Sequence, residues 1–303
     1  MSVPVAIIGV VLIWATTPLA IKWSGEGGIA FAVTARMVIG ALLCGGYVVA
    51  MRVPMPWHRR ALMTYLAAGI GIFGAMYSVY WGAQHISSGL VSVLFGLTPI
   101  LTGLLAIAWL GEQSFSSAKA LGIAASLLGL VLVFADNLAL GSAAALGIGA
   151  VLLAVALHSL STVLVKTFGE ELPAMATTTG GLLVSLPAFV LSWWWFDGEW
   201  PVDMPQRAGA SILYLGVFGS AVGFALFYYA LRHLEAGRVA LIPLVTPVLA
   251  LLVGAWFNEE IVNTRALLGT ALIIAGLGFY QWGARLSGRI RKLVTREARA
   301  AGE

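Results

Sequence analysis

Apolar residues fill blocks of about 20 residues that follow one another along nearly the whole chain. A helix needs roughly 20 mostly apolar residues to cross a bilayer core about 30 Å thick. Both faces of each block are apolar, whereas the strands of a transmembrane β-barrel would alternate in polarity over about 10 residues. We therefore predict an all-α integral membrane protein without a soluble globular core.

The composition agrees with this prediction. Of the 303 residues, 60% are hydrophobic and 10% are charged, whereas soluble domains have about 25% charged residues. Residues 1–4 carry no basic side chain, and no clear small-residue cleavage site follows the first block. We therefore interpret that block as a retained membrane helix rather than a signal peptide.

The blocks predict ten transmembrane spans. Ten spans place both termini on one side, and that side would carry thirteen of the seventeen lysines and arginines. By the positive-inside rule, both termini are expected in the cytoplasm of a multi-pass inner (plasma) membrane protein. The net charge of +4 then reflects topology and does not indicate nucleic-acid binding. The predicted spans are 4–22, 29–50, 62–82, 86–110, 117–135, 143–165, 173–196, 208–230, 237–258 and 264–283.

The chain also resembles itself at an offset of 148 residues. Each copy holds five predicted spans, and an odd number makes the second copy enter the membrane from the opposite side. We predict two inverted five-helix repeats, 1–137 and 138–284, followed by a basic cytoplasmic tail, 285–303. Inverted repeats are typical of secondary transporters that work by alternating access. The matches include Tyr80 with Tyr228, His85 with His233, Thr98-Pro99 with Thr246-Pro247 and Glu112 with Glu260, and, after a one-residue gap, Gly122 with Gly269 and Gly129 with Gly276.

These residues resemble the EamA-type branch of the drug/metabolite transporter superfamily over essentially the whole chain. Asn258-Glu259 replaces the usual Leu-Gly before the second Glu, and Trp14 and Lys22 match the opening segment. The resemblance implies ten helices in two inverted halves and export of small metabolites, often amino acids. The aromatic-rich centre is similar to the YddG-type aromatic amino-acid exporters of that branch. The pattern is carried by Tyr80, Ala83, Gly89, Pro99 and Gly111-Glu112, and again by Tyr228, Gly237, Pro247 and Glu260.

Aromatic side chains on two spans are candidates for the wall of a substrate cavity. Tyr77, Tyr80 and Trp81 follow helical spacing on the third span, and the eighth span repeats the pattern with Phe224 and Tyr228. Their large apolar area and polar handles suit an amphipathic substrate. The alternatives are helix packing and an interfacial aromatic belt. Trp14 joins these candidates for substrate binding.

Two prolines interrupt the fourth and ninth predicted spans. Pro99 follows Gly96, and Pro247 follows Thr246. Each proline removes one backbone hydrogen bond and frees a carbonyl group, so these positions are candidate hinges or kinks near the substrate. Tolerated kinks without a function are the alternative, because they are common in membrane helices.

Ionisable groups within the spans are costly and are candidates for function. His158 lies near the middle of the sixth span, and Arg36 lies about one-third along the second. Arg36 could attract a carboxylate or reach the headgroups; His158 could meet polar groups, carry a proton or be a hydrogen-bonded core residue. No Asp or Glu lies mid-span, which favours an anionic, zwitterionic or neutral substrate over a cation. The acidic residues Glu112, Glu259 and Glu260 lie at helix ends and are expected to cap or pair there.

The sequence indicates no enzyme. It has no G-x-x-x-x-G-K-[ST] loop for ATP and no metal-ligand spacing, so we predict no catalytic residues, cofactor or metal. The favoured hypothesis is an exporter of small metabolites, preferably aromatic amino acids, with the bilayer and the substrate as partners. Coupling to protons stays open. The alternatives are an exporter of lipophilic drugs or nucleotide-sugar-like solutes and a channel-like facilitator.

Overall fold

The structure is a computed structural model that describes residues 2–111, 117–138, 142–169, 171–240, 242–260, 263–265, 267–276 and 278–280. Its described residues form helices and connecting turns, and none of them forms a strand. The prediction of an all-α chain is therefore confirmed for this part of the protein. The predicted tail, 285–303, and Glu112 lie outside the described residues.

Helices occupy every apolar block that the structure describes. Short polar turns join them, and a single turn of 3-10 helix, Gly25–Gly27, follows the first helix. The helices are α1 Val3–Ser24, α2 Ile29–Ala50, α3 Arg59–Ala83, α4 Ser88–Leu110, α5 Ser117–Leu138, α6 Ser142–Phe168, α7 Ala174–Phe196, α8 Gln206–His233, the short α9 Ala236–Val239, α10 Ile242–Asn258 and α11 Leu267–Tyr280, of which residue 277 is not described.

Seven of the described helices are long and apolar enough to cross a membrane, namely α1 to α4 and α6 to α8. Two shorter apolar stretches, Leu249–Asn258 and Leu267–Tyr280, lie in α10 and α11. The structure thus supports a multi-pass membrane protein, while the number of ten spans stays a prediction. Many large apolar side chains point outward, as expected where lipid replaces water; Leu42 is 71% exposed and Val49 is 78% exposed.

Side chains from neighbouring turns fix several helix ends. The Ser87 hydroxyl accepts a hydrogen bond from the Leu90 N–H at 3.3 Å, so α4 begins at Ser88. Gly111 has a φ of 65° and ends α4 in the left-handed conformation that favours glycine. At the start of α2, a carboxylate oxygen of Asp197 accepts a hydrogen bond from the Phe31 N–H at 2.7 Å.

Two helices contain a widened π-helical segment, which the apolar pattern did not predict. Residues Ile70–Ala75 form the segment in α3, and residues Leu215–Val222 form it in α8. Shifting the first segment by the predicted repeat offset of 148 residues places it on 218–223, which overlaps the second. Such segments are rare and occur frequently at functional sites.

The described helices form two compact units. The first contains α1 to α4 and α6 to α10, and the second contains α5 and α11. This grouping by contact differs from the division into sequence halves, and the predicted boundaries at 137 and 284 stay predictions.

Small residues let α5 and α11 approach closely within the second unit. A Cβ added to Gly122 would lie 2.5 Å from the Gly276 carbonyl oxygen, and one added to Gly129 would lie 2.6 Å from the Gly269 carbonyl oxygen. The Ser126 hydroxyl approaches the Ile273 carbonyl oxygen at 3.3 Å. Close backbone approach through small residues is a common way for membrane helices to associate.

This contact generates a testable prediction. We expect Gly122→Ala to lower the free energy of unfolding by about 1–3 kcal/mol, because the added methyl group meets backbone atoms that cannot move aside alone. Thermal unfolding in detergent measures the change. Gly45→Ala is the matched control, since nothing lies within 4 Å of its added Cβ. Equal stability of the two variants would contradict the close contact.

Candidate functional site

The first unit contains a cavity between its helices. Residues of α1, α2, α3, α4, α6, α8 and α10 form its wall. The wall is mostly apolar and aromatic, and among the described residues that line it Arg36 alone has a permanent charge. Ligand pockets commonly place a few polar groups on an apolar wall, and this cavity has that property.

Five of the eight residues predicted to bind substrate line this cavity. They come from α1, α2, α6 and α8, which are distant in sequence and packed together in the first unit. The proposed hinge residue Thr246 also lies at the wall. The five are Trp14, Arg36, His158, Phe224 and Tyr228.

Aromatic rings surround His158. Its ring centroid lies 5.7 Å from that of Trp14, 5.2 Å from that of Phe227 and 6.2 Å from that of Phe95. The rings of Trp14 and Phe227 are 5.2 Å apart. Offset and edge-on contacts of this kind are favourable between aromatic rings, so this part of the wall offers a broad apolar surface to a substrate. Phe95 was not among the predicted site residues.

Arg36 is the charged group of the cavity and is only 1% exposed. Its Nε donates a hydrogen bond to Ser220 Oγ at 2.9 Å, and its Cζ lies 5.7 Å from the centroid of the Tyr80 ring. Its Nη1 is buried and has no hydrogen-bond partner in the structure. A buried charged donor without a partner is costly, so an acceptor bound at Nη1 would lower this cost.

Three predicted wall residues lie beside the cavity rather than along it. Tyr80 is fully buried beneath the Arg36 guanidinium, and Ser24 donates a hydrogen bond to its hydroxyl group at 3.4 Å. Tyr77 packs against Phe196, and Trp81 is 37% exposed. Their direct contact with a substrate stays a prediction, and the structure places the Tyr80 ring next to Arg36.

A shift in helix phase explains this difference. The predicted face of the third span contained Tyr77 and Tyr80, but α3 presents Met76 and Val79 to the cavity. A shift of one position along the chain rotates the face of a helix by about 100°, because a helix has 3.6 residues per turn. Ile72, Met76 and Val79 follow the same helical spacing as the predicted residues, so the period was right and the choice of face, which was based on aromatic residues, was one position out.

The predicted kinks differ between the two proline-containing helices. In α4, Gly96 and Leu97 separate the helical segments Ser88–Phe95 and Thr98–Leu110, and Pro99 lies in the first turn of the second segment. In α10, Pro247 lies within a continuous helix. A hinge role for either position is not tested by this geometry and stays a prediction.

Glu260 joins three parts of the first unit at one end. Its carboxylate accepts hydrogen bonds from the Ser88 N–H at 3.1 Å, the Ser88 hydroxyl at 2.9 Å and the Gly89 N–H at 3.3 Å. Lys22 Nζ lies 3.6 Å from it, and the Asn258 side-chain amide donates to it at 3.1 Å. Glu260 therefore both caps α4 and pairs with a cation, as the sequence suggested.

Further polar contacts occur at the same end. Trp23 Nε1 donates to Asn258 Oδ1 at 2.9 Å, and Arg207 forms an ion pair with Glu26. Like the Asp197 cap on α2 and the contacts of Glu260 with Lys22, Ser88 and Gly89, each joins a residue of the first sequence half to one of the second. Polar contacts between the halves therefore collect at this end of the first unit.

Comparison with known proteins identifies relatives of this chain. The model of the family described as "EamA-like transporter family" matches residues 1–135 and again residues 145–280. A probable terminal-alkyne amino-acid exporter of Streptantibioticus cattleyicolor is 29% identical over 90% of this chain and 91% of its own length. An uncharacterized transporter of Archaeoglobus fulgidus is 29% identical over 69% of this chain and 74% of its own length.

One solved crystal structure has a similar fold. It superimposes with a TM-score of 0.71, covers 94% of this chain and 99% of its own, and is 18% identical in sequence. Together with the names of the relatives, the family match indicates a membrane transporter rather than an enzyme.

The Glu260 contacts generate a testable prediction. We expect Glu260→Gln to lower the free energy of unfolding by about 1–3 kcal/mol, because the charged acceptor of α4 and the partner of Lys22 is lost. Thermal unfolding in detergent measures the change. Glu235→Gln is the control, since Glu235 is 68% exposed, lies 3.7 Å from Arg238 and should contribute less than about 1 kcal/mol. Equal losses in both variants would contradict a special role for Glu260.

Proposed function

We propose that this chain, which belongs to the EamA-like transporter family, exports small metabolites that carry a carboxylate group. Amino acids are the favoured substrates, and aromatic amino acids are the first choice. Transport proceeds by alternating access across the inner membrane, with both termini in the cytoplasm. The observation that carries this proposal concerns Arg36, which lines the cavity. Its Nη1 is buried and has no hydrogen-bond partner.

The charge of the site supports a carboxylate. Arg36 brings one positive charge, and none of the described residues that line the cavity is an Asp or Glu. A guanidinium group binds carboxylates well because its donors match their geometry. A bound carboxylate would supply the missing partner of Nη1, so binding would remove a cost that the empty site carries.

The aromatic part of the wall supports an apolar side chain on the same substrate. Trp14, His158 and Phe227 form a connected group of rings, and Phe224 and Tyr228 extend the wall. An aromatic amino acid could place its carboxylate at Arg36 and its ring against this surface. The relative from Streptantibioticus cattleyicolor, named a probable amino-acid exporter, adds support for this substrate class.

The packing of the first unit supports two related halves and alternating access. If α6, α7, α8 and α10 repeat α1, α2, α3 and α4, the observed contacts occur in matching pairs. Helix α1 packs against α8 as α6 packs against α3, α1 packs against α10 as α6 packs against α4, and α2 packs against α8 as α7 packs against α3. Two-fold related halves produce this pattern, and exchange of their conformations gives alternating access.

The polar contacts at one end of the first unit support a direction of opening for this conformation. In the proposed topology, Lys22, Ser88 and Glu260 lie on the non-cytoplasmic side, where the polar contacts join the halves. The cavity would therefore receive substrate from the cytoplasm, and export would require these contacts to break. His158 lies at the cavity wall and would be the group that couples transport to protons if such coupling exists.

An exporter of lipophilic drugs is the second candidate, because the wall of the cavity is largely apolar and aromatic. The two candidates differ in the role of Arg36. A lipophilic solute without a carboxylate gains nothing from Nη1, whereas an amino acid depends on it.

Counterflow in proteoliposomes tests the proposal. We expect saturable counterflow of labelled phenylalanine, and we expect Arg36→Met to raise its half-saturation concentration at least tenfold, because a charged hydrogen bond is worth about 1.5–3 kcal/mol. Phenylalaninamide, which lacks the carboxylate, should compete equally with both proteins. Arg238→Met is the matched control, since Arg238 pairs with Glu235 outside the cavity.

The outcomes separate the candidates. Phenylalanine transport that is unchanged by Arg36→Met would refute the carboxylate site. Counterflow of lipophilic solutes but not of phenylalanine would favour the drug exporter, and flux that does not saturate would favour a channel.

A further inference from the structure

The planar guanidinium group of Arg36 turns one edge toward α8. Its Nε donates to Ser220 Oγ at 2.9 Å, and its Nη2 lies beside Gly219, where an added Cβ would be 3.0 Å away. Nε and Nη2 share one edge of the group, and both contacts belong to the π-helical segment Leu215–Val222. Nη1 lies away from this edge; it is buried and has no hydrogen-bond partner.

The hydroxyl group of Ser220 makes its two hydrogen bonds to residues of α2. Ser220 is 0% exposed, and its hydroxyl group accepts the hydrogen bond from Arg36 Nε while its own hydrogen points toward Met37 Sδ at 3.6 Å. Both neighbours belong to consecutive residues of α2. The hydroxyl therefore has a fixed direction and is not shared with the cavity, whose lining does not include Ser220.

The backbone around Ser220 is held close to α2. A Cβ added to Gly40 would lie 2.8 Å from Ser220 Cβ, and one added to Gly216 would lie 2.7 Å from Ile39 Cβ. Two glycines, one on each helix, thus allow the π-helical segment and α2 to touch. This close approach leaves Ser220 little freedom to move relative to Arg36.

From this geometry we infer that Ser220 is a positioning residue, which together with Gly219 holds the guanidinium group of Arg36 in its orientation at the cavity wall. The inference rests on the proposed function, in which Arg36 binds the substrate carboxylate. Arg36 lies in the first sequence half and Ser220 in the second, so the orientation of the carboxylate-binding group depends on a contact between the halves.

Removal of the Ser220 hydroxyl should harm carboxylate binding selectively. Without an acceptor at Nε, the guanidinium would have two buried donors without partners and would rotate to share any acceptor within reach. The guanidinium would then no longer be held in its orientation at the cavity wall. A substrate without a carboxylate forms no ion pair with Arg36, so its binding should not change.

Competition measurements on Ser220→Ala test this inference. The assay is counterflow in proteoliposomes, with phenylalanine and phenylalaninamide as competing probes. We expect Ser220→Ala to raise the half-saturation concentration for phenylalanine about tenfold and to leave that for phenylalaninamide unchanged, with little effect on the maximal rate. Ser159→Ala is the matched control, because Ser159 is also 0% exposed and its hydroxyl has no partner.

A ligand-free measurement keeps the test independent of the substrate. In the purified full-length protein with ¹⁵N-labelled arginine, the Nε–H of Arg36 should exchange slowly with solvent, because it is buried and bound to Ser220. Arg36→Lys identifies the signal. Exchange should accelerate at least tenfold in Ser220→Ala and should not change in Ser159→Ala.

The outcomes distinguish this inference from the proposed function. If Arg36→Met weakens phenylalanine binding but Ser220→Ala does not, or if Ser220→Ala weakens both probes equally, the positioning role is refuted and the carboxylate site stands. If neither Arg36→Met nor Ser220→Ala affects phenylalanine, the proposed function fails. Unchanged exchange of the Arg36 Nε–H in Ser220→Ala would overturn the positioning role by itself.

Discussion

In the hydrocarbon interior of a bilayer, no water completes an unpaired hydrogen bond, so each polar group must find its partner within the protein. The described chain meets this requirement with helices, whose backbone groups pair internally, and it collects polar side-chain contacts at one end, around Glu260. A few buried hydroxyl groups of the described residues lack a partner, and Arg36 is the charged residue among these exceptions. It lies buried at the wall of a largely apolar cavity with one donor unpaired, and the functional account depends on this group.

The class of protein and much of the site followed from sequence. Block length and charge distribution are coarse properties that the bilayer imposes directly, so helices and membrane crossing could be predicted. Arg36 and His158 could be found because ionisable residues inside apolar blocks are rare and costly. The face of the third span could not be found, because periodicity gives the spacing of a face but not which face packs toward the cavity; Ile72, Met76 and Val79 line it instead of Tyr77 and Tyr80.

Ser220 carries no comparable sequence signal. A serine among small residues in an apolar block is ordinary, and its importance arises only when α8 meets α2 at Gly40 and the hydroxyl reaches Arg36. Phe95 was not predicted either, because its contact with His158 joins two distant helices, α4 and α6. Contacts between distant helices depend on tertiary packing, which periodicity along one helix does not report.

The glycine pairs of α5 and α11 bear on the proposed relation between the halves. Sequence alignment makes Gly122 equivalent to Gly269 and Gly129 equivalent to Gly276. In the structure, Gly122 approaches Gly276, and Gly129 approaches Gly269. Such reciprocal contacts are what a two-fold axis between equivalent helices produces, and they support the same proposal as the paired contacts of the first unit.

A structure of the protein with bound phenylalanine would test the central claim most directly. The account predicts one carboxylate oxygen about 2.7–2.9 Å from Nη1 of Arg36, with the aromatic ring against Trp14 and Phe227. A phenylalanine bound in the cavity with its carboxylate away from Arg36, and with Nη1 still unpaired, would contradict the account.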